Sequence, residues 1–190
     1  MISSFEWEDE SVADASGSAE GRGVGAADGA RVAVATVPFE PDEVTALELA
    51  KMAALYVERG RDLNVRLDFS DASIEAAEEM GVQTYASLCH GLALAELREL
   101  QAALVSELGA YVGETFIRNH GGCWGWAPMP GSRAFGLCTE AGLTAFPLTK
   151  AKKRLLGNIG SLVAFYRLLV RWPERPEAAV RSPGSDLSAT

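Results

Sequence analysis

Histidine and cysteine are scarce in this chain, with two of the former and three of the latter among 190 residues. Cys89, Cys123 and Cys138 show no CxxC spacing. An odd, sparse set of this kind fits free thiols in a reducing compartment better than a disulfide framework. Cys89, His90, His120 and Cys123 would be the right number of ligands for zinc. Neighbouring positions on a helix point about 100° apart, however, so Cys89 and His90 do not reach one ion together. No metal site is expected. His120 and Cys123 can also be read as base and nucleophile, but the sequence around them offers nothing to depress a thiol pKa or orient the ring. A P-loop, G-x-S-x-G, H-E-x-x-H and an EF-hand loop are all missing. GRGVGAADG lacks the preceding strand that a dinucleotide fingerprint requires, and no cofactor is expected.

Long apolar runs are missing too. Nothing approaches the roughly 18–20 uncharged residues that cross a bilayer. Acids stand at the N-terminus where a secretory leader would be basic and then apolar. The expected location is the cytoplasm, and the Ala/Gly/Arg/Val-rich usage suggests a bacterial source. A formal charge of −9 argues against coating nucleic acid. The charge is uneven, since seven acids against Arg22 put −6 in residues 1–30 and leave −3 for the rest. Lys150, Lys152, Lys153, Arg154, Arg167, Arg171, Arg175 and Arg181 make the C-terminal third basic, so local attraction to an anionic partner remains open.

What is present is one domain's worth of core, with 48% hydrophobic residues. Residues 1–30 and 173–190 are too poor in large apolar groups to offset their ordering entropy and read as disordered tails. Residues 31–172 read as a single α+β domain, mostly helical, with a long central helix packed on a small antiparallel sheet. Val32, Val34 and Val37 suggest a short edge strand. Pro41, Asp42 and Glu43 open a helix whose buried face is Leu49, Met52, Ala53 and Tyr56, ended by Gly60. Val65, Leu67 and Phe69 alternate as a strand would. Ser70 then caps a second helix closed by Gly81, and a long one runs from about Thr84 to Asn119. Along it Ala102, Ser106, Gly109 and Gly113 form a stripe of small residues. They permit close packing at a bend near Gly109, or they line a ligand cleft. Two or three short strands follow across GCWGWAP, AFGLC and LTAFP, then a basic helix LTKAKKRLL and a last helix capped by Ser161.

The most distinctive stretch is GAYVGETFIRNHGG (109–122) followed by CWGW. Tyr111, Glu114 and Arg118 share one helix face, and Glu114 and Arg118 have ion-pair spacing. Glu114 fits a base or a cation ligand. It fits equally a structural group that bonds the glycine turn at Gly121-Gly122 or pairs with Arg118. Trp124 and Trp126 have the same strand parity and form either an aromatic platform or a core cap. Gly109, Tyr111, Gly113, Glu114, Gly121, Gly122 and Trp124, then Pro147-Leu148-Thr149-Lys150, resemble the G-x-Y-x-G-E…GG-x-W and P-L-T-K pattern of a family of small bacterial domains of unknown function. LDFSDASI (67–74) resembles an upstream motif of the same group. The resemblance spans residues 40–171 and implies a shared fold without an activity. The reading is therefore a non-catalytic cytoplasmic binding or accessory protein acting on a protein or anionic partner. The alternative is a small-molecule-binding protein or enzyme built from Tyr111, Glu114, Arg118, His120, Cys123, Trp124 and Trp126.

Overall fold

Asp42 fixes where the first helix begins. Its carboxylate accepts the Thr45 N–H at 3.0 Å and the Thr45 hydroxyl at 2.9 Å, an N-cap that releases the preceding residues to extended backbone. Pro41 therefore lies in a short strand, β1 (Glu40–Pro41), and not in the helix's first turn. Helix α1 (Glu43–Asp62) buries Leu49, Ala53 and Tyr56 as their spacing predicts. It passes through Gly60 and ends two residues later. Gly60 is needed there for space, since a Cβ would meet the Val65 carbonyl oxygen at 2.9 Å. A computed structural model describes residues 39–88, 94–129 and 131–171. The two tails and the strand expected around Val34 lie outside them.

The alternation at 65–69 does not form a strand. Asn64 and Phe69 both adopt positive φ, 56° and 57°, so the segment turns at each end. Among the described residues no strand pairs with it. Its polar backbone is served otherwise, with Phe69 N donating to the Tyr111 hydroxyl at 3.1 Å and the Phe69 carbonyl accepting from Asn119 at 2.9 Å. Ser70 does cap the next helix, its hydroxyl accepting the Ser73 N–H at 3.3 Å. That helix, α2 (Ser73–Leu88), runs straight through Gly81. A Cβ at Gly81 would lie 2.8 Å from Leu108 and 2.9 Å from the Tyr56 hydroxyl, so this glycine serves close packing and not termination.

Thr84, expected to start the long helix, belongs to α2. The long helix is α3 (Leu94–His120), continuous through Gly109 without a break. It is the hub of the fold and packs against α1, α2 and the two C-terminal helices. Arg59 of α1 grips buried Glu107 of α3 with two bonds of 2.9 and 3.0 Å. Beyond Gly121 and Gly122 comes a hairpin of β2 (Cys123–Met129) and β3 (Ser132–Cys138), then β4 (Thr144–Ala145). All neighbours are antiparallel in the order β1-β2-β3-β4. Helix α4 (Pro147–Gly157) starts on its proline and stops at Asn158, which takes the left-handed conformation. Ser161 caps α5 (Leu162–Arg171) by accepting the Ala164 N–H at 3.2 Å. The architecture is α+β and mostly helical, with α3 carrying a small antiparallel sheet, as the sequence predicts.

Candidate functional site

At Gly109 and Gly113 the small-residue stripe on α3 is filled by the protein itself, while Ala102 at its start is exposed. A Cβ on Gly109 would sit 2.7 Å from the Leu148 Cα of α4, and one on Gly113 would overlap the Trp124 ring of β2. The two glycines therefore line no ligand cleft. Trp124 is only 2% exposed and lies nearly parallel to Phe135, with ring centroids 6.0 Å apart. It caps the core and offers no open platform. Trp126 shares its face but is half-buried, donating its indole N–H to Asp42 at 3.2 Å, with Arg133 over its ring.

Tyr111, Glu114 and Arg118 do share one face, and each is already occupied. The Tyr111 hydroxyl lies 2.5 Å from the Ser73 hydroxyl and accepts from Phe69 N. Burial pushes the phenol up from its ordinary pKa, against the pull of those bonds. Glu114 accepts the Trp124 indole N–H at 2.9 Å and faces Arg118 at 3.5 Å. The expected pairing with Arg118 is present. The expected anchoring of the Gly121-Gly122 turn is not, because the carboxylate points to the indole. The Arg118 guanidinium also stacks 3.7 Å from the centre of the Phe69 ring, which helps hold that residue in its positive-φ conformation.

This arrangement makes Glu114 a structural group with a testable energy. Its side chain is 12% exposed. Glu114→Ala leaves the indole N–H and Arg118 unpaired and should lower stability by about 2–3 kcal/mol. Glu114→Gln keeps an acceptor for Trp124 and should lose about half as much. Urea midpoints of the two variants check this, and a neutral Glu114→Ala would return the residue to the list of ligand-facing groups.

His120 joins a different set, which the sequence does not announce. Its Nε2 lies 3.0 Å from Asp71 Oδ2, while Asp71 Oδ1 accepts from Tyr166 at 2.6 Å and Asn119 at 2.8 Å. Partial burial pushes the Asp71 carboxyl up, but the Tyr166 and Asn119 bonds and the His120 ring outweigh it and hold it below the usual carboxylate range. Tyr166 is pushed well above its ordinary value, first by burial and then by Asp71. Asp71 sits inside the LDFSDASI segment, the one signal that marked this region beforehand.

Cys123 is not with His120. It faces Cys138 across the hairpin, and no contact joins it to the histidine. Among the described residues no cluster of three or more His, Cys, Asp or Glu side chains is placed to hold a metal ion.

Recesses on the surface of the described residues include three. The first, of 540 Å³, mixes Glu75, Glu78 and Glu79 with Arg154 and Arg167 between α2 and α5. A second, of 280 Å³, lies beside His120 and is lined by Phe116, Thr139, Glu140 and Leu169. The third, of 310 Å³, is walled by Leu143, Phe146, Phe165 and Leu168, with Lys150 and Lys153 at its edge. Compared with family models, curated proteins and solved structures, the chain matches none of them.

Proposed function

We propose that this chain is a non-catalytic binding or accessory protein of the bacterial cytoplasm. It holds an acidic, apolar segment of a protein partner in the groove between β4, α4 and α5. The groove carries the reading, because its walls are mostly hydrocarbon and its two cations, Lys150 and Lys153, make no ion pair among the described residues. Leu168 is 58% exposed, and Leu156 and Ile159 at the end of α4 are exposed as well. Apolar surface left in water beside unpaired cations favours a ligand that is apolar and negative at once, which a segment rich in Leu, Phe, Asp and Glu supplies. The enzyme alternative needed Tyr111, Glu114, His120 and Cys123 to converge on one cavity. Two are buried and engaged, and the other two lie apart.

A second reading keeps a small-molecule site near residue 120. It is favoured by the Asp71–His120 pair at the 280 Å³ recess.

One experiment separates the two. Labelled protein is applied to arrayed peptides that vary in acidic and apolar content, alongside Lys150→Glu/Lys153→Glu, Leu168→Ala and His120→Ala variants. Peptides carrying both acids and large apolar residues should bind. Reversing the two lysines should weaken them by about tenfold or more, the scale of losing two close charge pairs. Leu168→Ala should weaken them too, and His120→Ala should leave them unchanged. A blank array, or binding indifferent to the groove variants, overturns the groove. Binding lost only in His120→Ala moves the site to the second recess.

A further inference from the structure

Cys123 opens β2, Cys138 closes β3, and the two are register partners across the hairpin. Directly opposed residues of an antiparallel pair project from the same face of the sheet. Their Cα atoms are about 4.5 or about 5.5 Å apart, depending on the kind of pair. Both separations lie inside the range of about 4.4–6.8 Å that a disulfide spans. The nearest members of this face are small, Gly125 and Ala127 on one strand and Ala134 and Gly136 on the other, and Met129 stands at the far end by the turn. No bulky side chain from either strand stands between the thiols. The rings of Phe39 and Phe146 lie over the Gly125–Gly136 pair, two positions further along, and the cysteine pair at the end stays half-exposed. The thiols are free, and they feel one another: burial first, and then Cys123, push the Cys138 thiol up from its ordinary value.

We propose that Cys123 and Cys138 are a redox-active dithiol that closes to a reversible cross-strand disulfide by exchange with a low-molecular-weight disulfide such as oxidised glutathione. Cys138 is the poorer first nucleophile, because its thiolate is disfavoured where it lies. Cys123 attacks one glutathione sulfur, a mixed disulfide forms, and the first glutathione leaves as a thiol. The Cys138 thiolate then attacks the Cys123 sulfur, which releases the second glutathione. The protein gives up two electrons and two protons, oxidised glutathione takes up both, and no other reactant is needed. The proposal stands on strand register alone and is independent of the groove.

Full-length protein, reduced and then exposed to oxidised glutathione under native conditions, is alkylated and digested with trypsin. Cleavage after Arg66, Arg98, Arg118, Arg133 and Lys150 puts Cys89, Cys123 and Cys138 on separate peptides, 67–98, 119–133 and 134–150. Peptides 119–133 and 134–150 should be found joined, with the intact protein lighter by two hydrogens and Cys89 left out of the bond. Cys138→Ser should stop at the first step and retain glutathione on Cys123. In denaturing urea the same oxidation should give mixed products. The proposal is overturned if wild type keeps both thiols open to alkylation, holds glutathione without closing, or bonds through Cys89. An equal yield of the joined peptides in urea overturns it as well, since sequence proximity and not the sheet would then direct the bond.

Discussion

Glu78→Ala should lower the stability of the protein by about 3 kcal/mol, at the lower end of what breaking a buried ion pair costs. Glu78 sits mid-way along α2 with its side chain 9% exposed, and it holds three elements at once. Oε1 accepts from Arg154 of α4 at 2.6 Å. Oε2 accepts from the Ser161 hydroxyl at 2.8 Å and from the Val163 N–H, in the first turn of α5, at 2.9 Å. Alanine leaves the arginine and a helix-terminal N–H without their acceptor. Arg154 keeps Asn158 and some water, which is why the estimate stays low in the range. A surface pair gives the contrast. Glu48 and Lys51 are 2.6 Å apart but more than half exposed, so Glu48→Ala should change stability by less than about 0.5 kcal/mol. Urea midpoints that place Glu78→Ala beside Glu48→Ala would sink this account.

The same carboxylate sets a pH dependence. Burial raises its pKa, but the Val163 and Ser161 bonds and Arg154 more than reverse this and leave it below its ordinary value of 4.5. A depressed carboxyl stabilises the fold above its unfolded pKa, and that contribution is lost as pH falls through the folded one. Wild type should therefore lose stability below about pH 4.5 more steeply than Glu78→Gln, which has no proton to take up there. The two curves should converge in acid. Curves that stay parallel to the lowest pH at which the protein remains folded would mean that Glu78 is not a stabilising carboxylate.

Much of the scaffold was legible because its signals are local. The spacing of Leu49, Ala53 and Tyr56 describes the buried side of α1, and the turn residues between AP and AF mark the hairpin with Trp124 and Trp126 on one face. Ser161 announces α5. Reading failed where a residue answers to a partner far away in sequence. Val65, Leu67 and Phe69 alternate like a strand, yet Phe69 is turned to positive φ beneath Arg118 and bonded to Tyr111, 42 residues on. Gly81 looks like a helix stop, because a glycine that ends a helix and one that admits a neighbour are the same letter. Only the approach of Leu108 and Tyr56 distinguishes them. The candidate site divides the same way. The helix face of Tyr111, Glu114 and Arg118 follows from a period of 3.6, but the indole that takes Glu114 depends on how the hairpin folds back. Asp71 gathers partners 48, 49 and 95 residues away, which no window on the sequence can join.

Gly113→Ala provides the sharpest test of the contact between α3 and the sheet, because helix propensity and packing predict opposite signs. In an open helix the change should stabilise by about 1 kcal/mol. Here the new methyl would overlap the outer ring of Trp124, and that ring has nowhere to move. Its indole N–H is fixed to Glu114, and Phe135 lies against it at 6.0 Å. Overpacking of this kind costs about 1–3 kcal/mol. Displacing the indole from its carboxylate adds a charge-assisted hydrogen bond of about 1.5–3 kcal/mol. The net expectation is a loss of about 3 kcal/mol, enough to lower the melting temperature by roughly 6–12 °C in a domain of this size. Trp124→Phe removes the atoms that collide and should itself destabilise, since it leaves space beside α3 and takes from Glu114 its indole donor. Combined with Gly113→Ala, the methyl occupies part of that space. The double variant should then be more stable than the sum of the single losses by about 1–2 kcal/mol, a coupling typical of residues in contact. Strict additivity, or a Gly113→Ala protein as stable as wild type, would mean that Trp124 does not fill the gap at Gly113 and that the small-residue stripe is open after all.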